Sequence, residues 1–322
     1  MPTSSPTPAL IRWYIILNPA AGRGRAGKMR TRIEQSLRET GIEYELGITT
    51  RTWHAAELVR TAIEAGFRHI AAVGGDGTAF EVVNGIFSQT AVPTTDITYA
   101  AIPIGTGNDW VRTHKIPNNI EAAIQLLVTP HTILHDVGVV RYTSSPTLLE
   151  DAPPRYFINV TGLAYDSLIT RLANAVPNRL RSRTLFQLLI VANIFGYRAP
   201  QLRIELHDGT VLNEAFYNVS IGVCSYNGGG CCLLPQADPT AGQLAMTVIR
   251  ALPVWQIVTN LHKLYDGSIA TLSYATLYTT TAVTVTGNTD VEADGELLGV
   301  APVHISLLPQ ALRVVSLWED AV

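Results

Sequence analysis

The stretch VGGDGTAFEVVNGI, residues 73–86, places three glycines and an aspartate between two apolar segments. A turn this rich in glycine exposes its backbone N–H groups and lets another molecule approach closely. The residues after the turn can begin a helix, whose first N–H groups have no partner within the helix. These features favour a bound anion such as a phosphate, yet the anionic side chain of Asp76 lies among them. A phosphate accompanied by a metal ion resolves the conflict, so the stretch indicates a site of that kind.

Strand-like and helix-like segments alternate on either side of this turn. Such alternation predicts a parallel sheet covered by helices on both faces, with ligands bound beyond the carboxyl ends of its strands. The glycine-rich segments 22–27, 74–77 and 105–107 each follow a strand, so we expect them to gather at one edge of the sheet. The strand-like segments are 13–19, 42–50, 69–73 and 98–104, and the helix-like segments are 29–40, 54–66, 79–87 and 119–129.

The pattern changes after residue 136, where strand-like segments follow one another with few helices between them. This pattern is typical of an antiparallel β-sandwich or barrel. One long helix is predicted around residues 181–196, and residues 144–154 are predicted to form an exposed loop. The strand-like segments are 137–142, 155–162, 201–212, 215–224, 243–252, 275–287, 303–309 and 312–318.

Length and composition indicate two globular domains without a strongly basic surface. The chain has 322 residues, of which 47% are hydrophobic and 15% charged, and its net charge is −3. A chain of this length and apolar content can fill two cores, and its charge does not favour a nucleic-acid partner. The first ten residues, MPTSSPTPAL, are predicted to be a disordered tail, since they lack the pattern of a signal peptide. The apolar stretch 185–195 is too short to span a bilayer, so we expect a soluble, cytoplasmic protein.

The cysteine and histidine spacing matches none of the common metal or disulfide patterns. Cys224, Cys231 and Cys232 are odd in number and contain no CxxC pair, so neither a disulfide framework nor a structural zinc site is expected. His131 and His135 form the one i, i+4 histidine pair, but no HExxH-type context surrounds them.

A second turn, IPIGTGNDWVR at 102–112, repeats the arrangement of glycines and an aspartate at a helix start. Asp109 alone would be interpreted as a helix N-cap, which typically contributes about 1 kcal/mol. Two similar turns at the ends of neighbouring strands favour a ligand shared between them. Neither turn matches GxGxxG or the Walker pattern, so a Rossmann dinucleotide site and a P-loop are not supported.

A third acidic segment, VEADGELLG at 291–299, lies in the second half of the chain. An extended strand would place Glu292, Asp294 and Glu296 on one face, whereas a turn at Asp-Gly would still let Asp294 and Glu296 converge. An ordinary solvated hairpin is the alternative. If these carboxylates face Asp76 across a cleft, two charges about 5 Å apart repel by about 3 kcal/mol at an effective dielectric of about 20. Such a cluster needs a cation such as Mg²⁺, or a carboxyl with a raised pKa that can accept a substrate proton.

Taken together, these motifs resemble the diacylglycerol kinase catalytic-domain family, which includes sphingosine and ceramide kinases and bacterial soluble lipid kinases. The matching segments are GGDGTxxEVVNG, Asn18-Pro19 before a glycine-basic loop, PxGTxND, TGLAYDS at 161–167, YNGGGCCLLPQA at 226–237 and DGE at 294–296. The resemblance covers residues 12 to 318 and implies Mg²⁺-dependent transfer of the γ-phosphoryl group of ATP to a lipid hydroxyl. Diacylglycerol, a sphingoid base, phosphatidylglycerol and an undescribed amphiphile are all open as acceptors, and diacylglycerol leads only because the relatives suggest it.

The same resemblance implies a two-domain fold with the active site in the cleft between the domains. We expect an α/β nucleotide-binding domain over residues 11–136, a β-sandwich lipid-substrate domain over 137–309, and a C-terminal strand within 310–322 that returns to the first domain. The sequence carries no sign of an oligomeric state.

Carried over residue by residue, the resemblance assigns roles to both halves of the chain. Asp76 would act through the magnesium of the nucleotide or through its waters. Glu296 is the candidate base that receives the lipid hydroxyl proton, with Asp294 as the alternate, and a modest base suffices for phosphoryl transfer. Arg112 would contact a phosphate or orient Asp109. The nucleotide-binding residues would be Asn18, Gly22, Arg23, Gly74, Gly75, Gly77, Thr78, Thr106, Asn108, Asp109 and Arg112.

Several positions depart from the family pattern. Arg23 stands where many bacterial members carry a lysine, which keeps the charge but changes its geometry. Ala164 replaces a usual glycine. Ala241 replaces an acid that helps to form a structural metal site in bacterial relatives, which puts such a site in doubt here, although Asp238 is nearby.

Other interpretations of the sequence remain open. An NAD kinase shares the GGDG turn, but the later glycine-serine-threonine segment that it needs for the dinucleotide is missing. A nucleotide- or lipid-binding protein without turnover is a second alternative. The segment 178–198 carries Arg179, Arg181, Arg183 and Arg198 around an apolar core. It predicts either peripheral contact with an anionic bilayer or an ordinary domain helix with one buried face.

Overall fold

The first half of the chain forms the predicted parallel sheet. The structure, a computed structural model, describes residues 11–105, 107–143, 152–177, 180 and 182–318. The elements of the first half are β1 (Arg12–Leu17), α1 (Ala21–Lys28), α2 (Arg30–Thr40), β2 (Glu43–Ile48), α3 (His54–Glu64), β3 (His69–Gly74), α4 (Asp76–Ser88), β4 (Thr98–Pro103), α5 (Asp109–Thr113), α6 (Ile120–Gln125) and β5 (Thr132–Thr143).

Strands β2, β1, β3 and β4 lie side by side in that order and run parallel. The register pairs Leu17 with Val73 and Val73 with Ile102, so the three strands end at the same level. The neighbouring residues Ile15 and Ile16 of β1, which point to opposite faces, are both fully buried, as expected for a strand covered on both faces. The glycine-rich turns that follow β1, β3 and β4 therefore meet at one edge of the sheet.

The second half is the predicted β-sandwich, and its strand pairings form a closed circuit. Its elements are β6 (Arg155–Phe157), β7 (Val160–Ala164), α7 (Tyr165–Ala175), α8 (Arg183–Asn193), β8 (Gln201–Leu206), β9 (Val211–Gly222), β10 (Tyr226–Asn227), β11 (Cys231–Cys232), β12 (Leu244–Arg250), α9 (Val254–Asn260), β13 (Ala275–Thr280), β14 (Ala282–Gly287), β15 (Asp290–Ala293) and β16 (Glu296–Val315). Strand β9 pairs with β7, β7 with β15, β15 with β16, β16 with β14, β14 with β8, and β8 again with β9.

Strand β16 connects the two halves. Its first residues pair with β15 in the sandwich, and near its end Arg313 pairs in parallel with Thr98 of β4. It also pairs with β5 from Val300 to Val315. The expected return of the C-terminal strand to the first sheet thus corresponds to this pairing of β16 with β4. The expected domain limits at 136/137 and 309/310 fall inside β5 and β16, so one two-stranded ribbon crosses both of them.

The structure differs from the sequence-based expectations in several elements. Residues 21–28, expected to be a loop, are helical but contain left-handed Gly22, Arg23 and Gly24, so the chain turns sharply there. Helices α7 and α9 were not expected, and the segments 303–309 and 312–318 form one strand rather than two. The expected helix at 181–196 is α8. The expected tail at 1–10, residues 144–151 of the expected exposed loop and residues 319–322 lie outside the described part of the chain.

Candidate active site

The turns after β3 and β4 are in direct contact through their glycines. Gly75 lies between the end of β3 and the start of α4, and a β-carbon on Gly75 would stand 2.9 Å from Cα of Gly105. The N–H of Ile104 donates to the carbonyl of Gly74 at 2.7 Å, which holds the second turn against the first. Side chains at either glycine would separate the turns. The glycines are therefore required to bring the two strand ends together.

Asp76 and Asp109 converge on this pair of turns. Oδ2 of Asp76 accepts a hydrogen bond from the N–H of Asn108 at 3.0 Å, and a β-carbon on Gly107 would lie 2.8 Å from the same oxygen. Oδ2 of Asp109 would be 3.7 Å from that β-carbon, and it accepts the N–H of Gly229 from the second half at 2.7 Å. Two carboxylates from neighbouring strand ends thus share one small region.

Asn108 and Arg112 support this arrangement. Oδ1 of Asn108 accepts the N–H of Gly105 at 3.1 Å, which closes the second turn. Nε of Arg112 lies 4.0 Å from Oδ1 of Asp109, and its guanidinium lies over the ring of Tyr226. These contacts are compatible with the expectation that Arg112 orients Asp109. Thr106, expected to contact phosphate, lies outside the described residues.

Asn18 and Thr78 link the turn after β1 to the start of α4. Nδ2 of Asn18 donates to Oγ1 of Thr78 at 3.0 Å, while Oδ1 of Asn18 accepts the N–H of Ala20 at 3.0 Å. Thr78 is buried, so its hydroxyl braces the turn. Gly22 has left-handed φ of 58°, and Arg23, which follows it, is exposed at the same edge of the sheet.

The acidic hairpin of the second half closes the site from the opposite side. Asp294 and Gly295 form its turn with φ of 48° and 83°, so the chain reverses at Asp-Gly rather than running straight. Ala293 pairs with Glu296, and Glu292 pairs with Leu297, which places Glu292 and Glu296 on opposite faces. The extended alternative, with three acids on one face, is therefore wrong.

Asp294 is anchored by the backbone of the second half. Its two carboxylate oxygens accept N–H bonds from Ile158, Asn159 and Val160 at 3.0, 3.0 and 3.1 Å. The carboxylate of Glu296 lies over the first turn, because a β-carbon on Gly77 would stand 2.7 Å from its Oε1. The structure thus brings the expected residues of both halves to one place.

Burial and mutual repulsion make these carboxyl groups unusually basic. Burial, with the neighbouring carboxylates of Asp109 and Asp294, raises the pKa of Asp76 to about 7. Burial raises the pKa of Asp294 to about 7 as well, against the opposing effect of its three N–H bonds. A group in this range can hold or release a proton near neutral pH, and a divalent cation would relieve the repulsion.

A second carboxyl pair adjoins the site, and the sequence did not identify it as a pair. Oδ2 of Asp166 and Oε1 of Glu292 both lie within contact distance of a β-carbon placed on Gly162. Asp166 accepts a hydrogen bond from Nδ2 of Asn227 at 2.9 Å, and burial raises its pKa to about 6. Burial and the carboxylate of Asp166 also raise the pKa of Glu292. The only sequence signal was the position of Asp166 in the TGLAYDS segment.

Two adjoining cavities open at these carboxylates. The first, of about 190 Å³, is lined by Asp76, Asp109 and Asp294 together with residues of α7 and α8. The second, of about 90 Å³, lies between α7, α8 and α9 and is almost entirely apolar, with Asp166 at its boundary. Phe186, Asn227 and Gly228 line both cavities. A cavity with three carboxylates in its wall therefore adjoins a second, hydrophobic cavity.

The carboxylates near Ala241 are occupied by hydrogen bonds within the protein. Oδ1 of Asp238 accepts the N–H and the hydroxyl of Thr240, both at 2.8 Å. The carboxylate of Asp136 accepts N–H bonds from Gly242 and Gln310 at 2.6 and 2.7 Å. These contacts engage Oδ1 of Asp238 and both carboxylate oxygens of Asp136.

The match to known families covers both halves of the chain. Residues 12–140 match the diacylglycerol kinase catalytic domain, and residues 159–316 match the YegS C-terminal NAD kinase beta sandwich-like domain. The chain belongs to the diacylglycerol kinase catalytic-domain family, and it is a kinase of the lipid-kinase class. The resemblance and the fold class inferred from the sequence are thereby confirmed.

Similar proteins span nearly the whole chain. A diacylglycerol kinase of Staphylococcus epidermidis (strain ATCC 12228) is 26% identical over 325 residues, covering 94% of this chain and 91% of its own length. A diacylglycerol kinase of Mycobacterium tuberculosis (strain H37Rv) is 27% identical over 310 residues, covering 93% of each chain. The similarity therefore extends through both halves and across the cleft.

Solved structures share the fold. A diacylglycerol kinase from Bacillus anthracis superposes with a TM-score of 0.71 at 21% identity, covering 98% of this chain and all of that one. Yeast NADH kinase superposes with a TM-score of 0.50 at 12% identity over 95% of this chain and 83% of that one. Every helix among the described residues is too short or too polar to span a bilayer.

Proposed function

We propose that this chain is an ATP- and Mg²⁺-dependent kinase that phosphorylates a lipid hydroxyl, with diacylglycerol as the leading acceptor. One observation carries the proposal: the cavity lined by Asp76, Asp109 and Asp294 adjoins an apolar cavity, and the two share lining residues. A lipid kinase needs both, because its donor is a charged phosphate and its acceptor carries acyl chains beside a hydroxyl. The two spaces meet at Gly228, between the acidic turns and helix α8.

The residues present fit a nucleotide phosphate with its magnesium ion. Side chains are missing at Gly75, Gly105 and Gly107, where a β-carbon would meet backbone or carboxylate atoms within 3 Å, and this leaves backbone exposed at the start of α4. Asp76 and Asp109 are the oxygen ligands that Mg²⁺ prefers, and they would hold it directly or through water. The ion supplies positive charge beside the phosphoryl oxygens. Asn18, Gly22, Arg23, Gly74, Thr78, Thr106 and Asn108 are proposed to complete the phosphate site.

Glu296 is the proposed base for the lipid hydroxyl. Asp294 already accepts three backbone N–H bonds, so its main role is to fix the hairpin. Glu296 instead projects over the first turn next to Gly77, the position from which it can reach a hydroxyl aligned with the transferred phosphoryl group. We propose that Glu296 takes the hydroxyl proton while Asp294 holds the turn in place.

The apolar cavity is proposed to hold the acyl chains. It is lined by apolar side chains of α8 and α9 such as Ile190, Ile194 and Ile257, and by Leu233 and Leu272 of the sandwich. These groups suit hydrocarbon and offer little to a dinucleotide, which argues against the NAD kinase alternative. A binding protein without turnover would not need a carboxylate like Glu296 beside the phosphate turn.

The outer faces of α8 and α9 are proposed to rest on the bilayer that supplies the lipid. Leu188, Val191 and Phe195 share one face along α8 and the turn after it and are 61%, 47% and 72% exposed, and Trp255 of α9 is 65% exposed. Both helices turn their other faces to the apolar cavity, so the lipid could enter between them. Exposed Arg198 follows α8 and suits anionic headgroups.

Arg179, Arg181 and the side chain of Arg183 lie outside the described residues and are not needed for this surface. A cytoplasmic enzyme at the inner face of the membrane is the corresponding proposal for its location, since ATP is available there.

Phosphate transfer from labelled ATP tests the proposal. Purified protein is incubated with Mg²⁺, labelled ATP and one acceptor at a time. The acceptors are diacylglycerol, a sphingoid base or phosphatidylglycerol in mixed micelles, or NAD in solution. We expect a labelled lipid, loss of labelling without Mg²⁺, and a Glu296→Gln variant that binds ATP normally but turns over at least about 100-fold more slowly. Labelling of NAD but of no lipid would establish the NAD kinase alternative, and ATP binding without any labelling would establish a binding protein. A Glu296→Gln enzyme with the wild-type rate would exclude Glu296 as the base.

A further inference from the structure

Two histidines and a cysteine converge in the interior behind the active site. His114 follows helix α5, His135 lies in β5, and Cys224 follows β9, and all three are 0% exposed. Each of the three residues has a nitrogen or sulfur atom that lies within 4.8 Å of the corresponding atoms of the other two. Among the described residues, no other three histidine, cysteine or acidic side chains come together in this way. None of them contributes to the phosphate or lipid sites proposed above.

Both imidazole rings direct Nε2 toward the sulfur. Sγ of Cys224 lies 3.8 Å from Nε2 of His114 and 3.7 Å from Nε2 of His135. Nδ1 of His135 contacts the carbonyl oxygen of Asp136, which can only accept, so Nδ1 carries the proton and Nε2 presents a lone pair. Nδ1 of His114 is hydrogen-bonded to Oγ of Ser316 at 2.8 Å, and this contact holds the second ring with Nε2 toward the sulfur.

These are the features of a preformed site for a transition metal. Zinc in proteins is bound at about 2.3 Å by cysteine sulfur and at about 2.0–2.1 Å by histidine nitrogen, so a tetrahedral site has an S···N edge of about 3.6 Å. The observed separations of 3.7 and 3.8 Å match that edge closely. Histidine ligands whose other nitrogen is hydrogen-bonded to a carbonyl or hydroxyl are the usual arrangement around zinc.

The hydroxyl of buried Thr113 lies beside the Cys224 thiol and offers an oxygen atom as a fourth ligand. The N–H of Trp110 also donates to Nε2 of His135 at 3.3 Å, a long hydrogen bond that a metal bound to this nitrogen would replace.

We propose that His114, His135 and Cys224 bind one Zn²⁺ ion, with the Thr113 hydroxyl or a water as the fourth ligand. Binding replaces the S–H bond of Cys224 by a sulfur–zinc bond and releases one proton to solvent. The hydrogen bond from that thiol to the carbonyl of Ile158, 3.3 Å long, is lost in exchange.

Such an ion would join the segments that carry the active-site carboxylates. His114 follows the short helix that begins with Asp109, and Cys224 contacts Ile158, whose N–H holds Asp294. The ion would thus connect the turn of the first half with the anchor of the hairpin in the second half. We expect its removal to destabilise the protein while leaving the phosphate turns chemically intact.

Metal binding itself provides the test, so kinase activity is not the readout. Full-length protein is stripped with a chelator, given Zn²⁺ or Co²⁺, desalted, and analysed for metal content and absorbance. We expect about one ion per chain, a thiolate-to-cobalt charge-transfer band in the near ultraviolet, and a higher Tm with Zn²⁺. Cys224→Ala should lose the band and the stoichiometric ion, whereas Cys232→Ala, a buried cysteine outside the cluster, should keep both.

Several results would overturn the inference. A wild-type chain that takes up no stoichiometric zinc and shows no charge-transfer band has no such site. Equal zinc content in the wild type and in Cys224→Ala would locate the ion elsewhere. If Cys224→Ala fails to fold, the cobalt spectrum of the wild type and of Cys232→Ala decides the question alone.

Discussion

Gly77 of the first half and Glu296 of the second lie against each other, since a β-carbon on Gly77 would stand 2.7 Å from Oε1 of Glu296. Gly77 is in the first turn of α4, where alanine is a better helix former than glycine. The close approach of the Glu296 carboxylate therefore favours glycine at position 77, although the helix alone would favour alanine.

A Gly77→Ala variant should separate stability from activity. The added methyl group displaces the flexible end of Glu296, so we expect an unchanged or slightly higher Tm and a kcat at least about tenfold lower. The double variant Gly77→Ala/Glu296→Asp, with a shorter acid, should lose less activity than the two single changes combined. The cycle compares the Tm and kcat of the wild type, the two single variants and the double variant. If the activity losses of the single variants add strictly in the double variant, the two positions do not interact.

Asp294 and Asp76 should respond differently to the same change. Asp294→Asn replaces an acceptor oxygen by an NH₂ group facing backbone N–H groups, so we expect a loss of about 1–3 kcal/mol in the free energy of unfolding. Asp76→Asn keeps an acceptor for the N–H bond from Asn108 and removes a buried, repelled charge, so it should unfold at a urea concentration no lower than that of the wild type. Both should lower kcat at least about 100-fold. Equal destabilisation of the two variants would contradict the anchoring role of Asp294.

The Asp166–Glu292 pair should make the protein less stable as the pH rises through 6. The pKa of Asp166 is raised to about 6, so the folded state holds its proton more tightly than the unfolded chain does. The resulting stability is full below about pH 4 and is lost as the pH rises through 6. Asp166→Asn should therefore raise Tm at pH 8 by at least about 2 °C relative to the wild type, and by less at pH 5.

The matched control for that pH series is Asp96→Asn, which changes an exposed aspartate in the first half of the chain. It should leave Tm unchanged at both values. A Tm gain for Asp166→Asn that is equally large at pH 5 and pH 8 would mean that the repulsion between carboxylates is not its cause.

Filling the apolar cavity should select against long acyl chains. Ile190 lines that cavity, so Ile190→Trp should raise KM for a long-chain diacylglycerol about tenfold, or about 1.4 kcal/mol, and change KM for a short-chain one little. Leu188→Trp places the same ring on the exposed face of α8 and should leave chain-length preference unchanged in detergent micelles. A uniform effect of Ile190→Trp on both lipids would contradict the assignment of the cavity.

Charge on the outer face of α8 should weaken membrane binding without affecting catalysis. Burying one large apolar side chain in a bilayer contributes about 1.5–3 kcal/mol, so Leu188→Glu/Phe195→Glu should reduce vesicle partitioning at least tenfold. Activity toward a short-chain lipid in micelles should be retained. Val211→Glu, a similar change at a position in β9 that is 46% exposed, should sediment with anionic vesicles as the wild type does. Equal losses in the two variants would point to a general charge effect.

The sequence predicted the parts of the site that depend on local chemistry. The turn around Asp76 and the turn around Asp109 are set by glycines next to strand ends, and parallel strands bring such ends together. The Asp294-Gly295 reversal is likewise a local property of two residues that accept left-handed backbone. The resemblance to the kinase family supplied the expected roles of these residues, and the sheet topology brings the turns that carry them together.

The parts that the sequence did not predict depend on distant packing. Glu292 joins Asp166 only because β15 pairs with β7 in one particular register. The apolar cavity requires α7 and α9, neither of which was expected, to pack against α8. His114 and Cys224 are 110 positions apart and show no spacing that indicates a metal, so only the folded chain reveals their convergence.

The ribbon of β5 and β16 limits how the enzyme can admit its substrates. A clam-shell motion of two rigid bodies would have to bend or break the ladder from Val300 to Val315 that both strands share. Helices α8 and α9 carry no part of that ladder, so their displacement would leave its backbone hydrogen bonds in place. A lipid that enters between these two helices would therefore leave the frame formed by the two sheets unchanged.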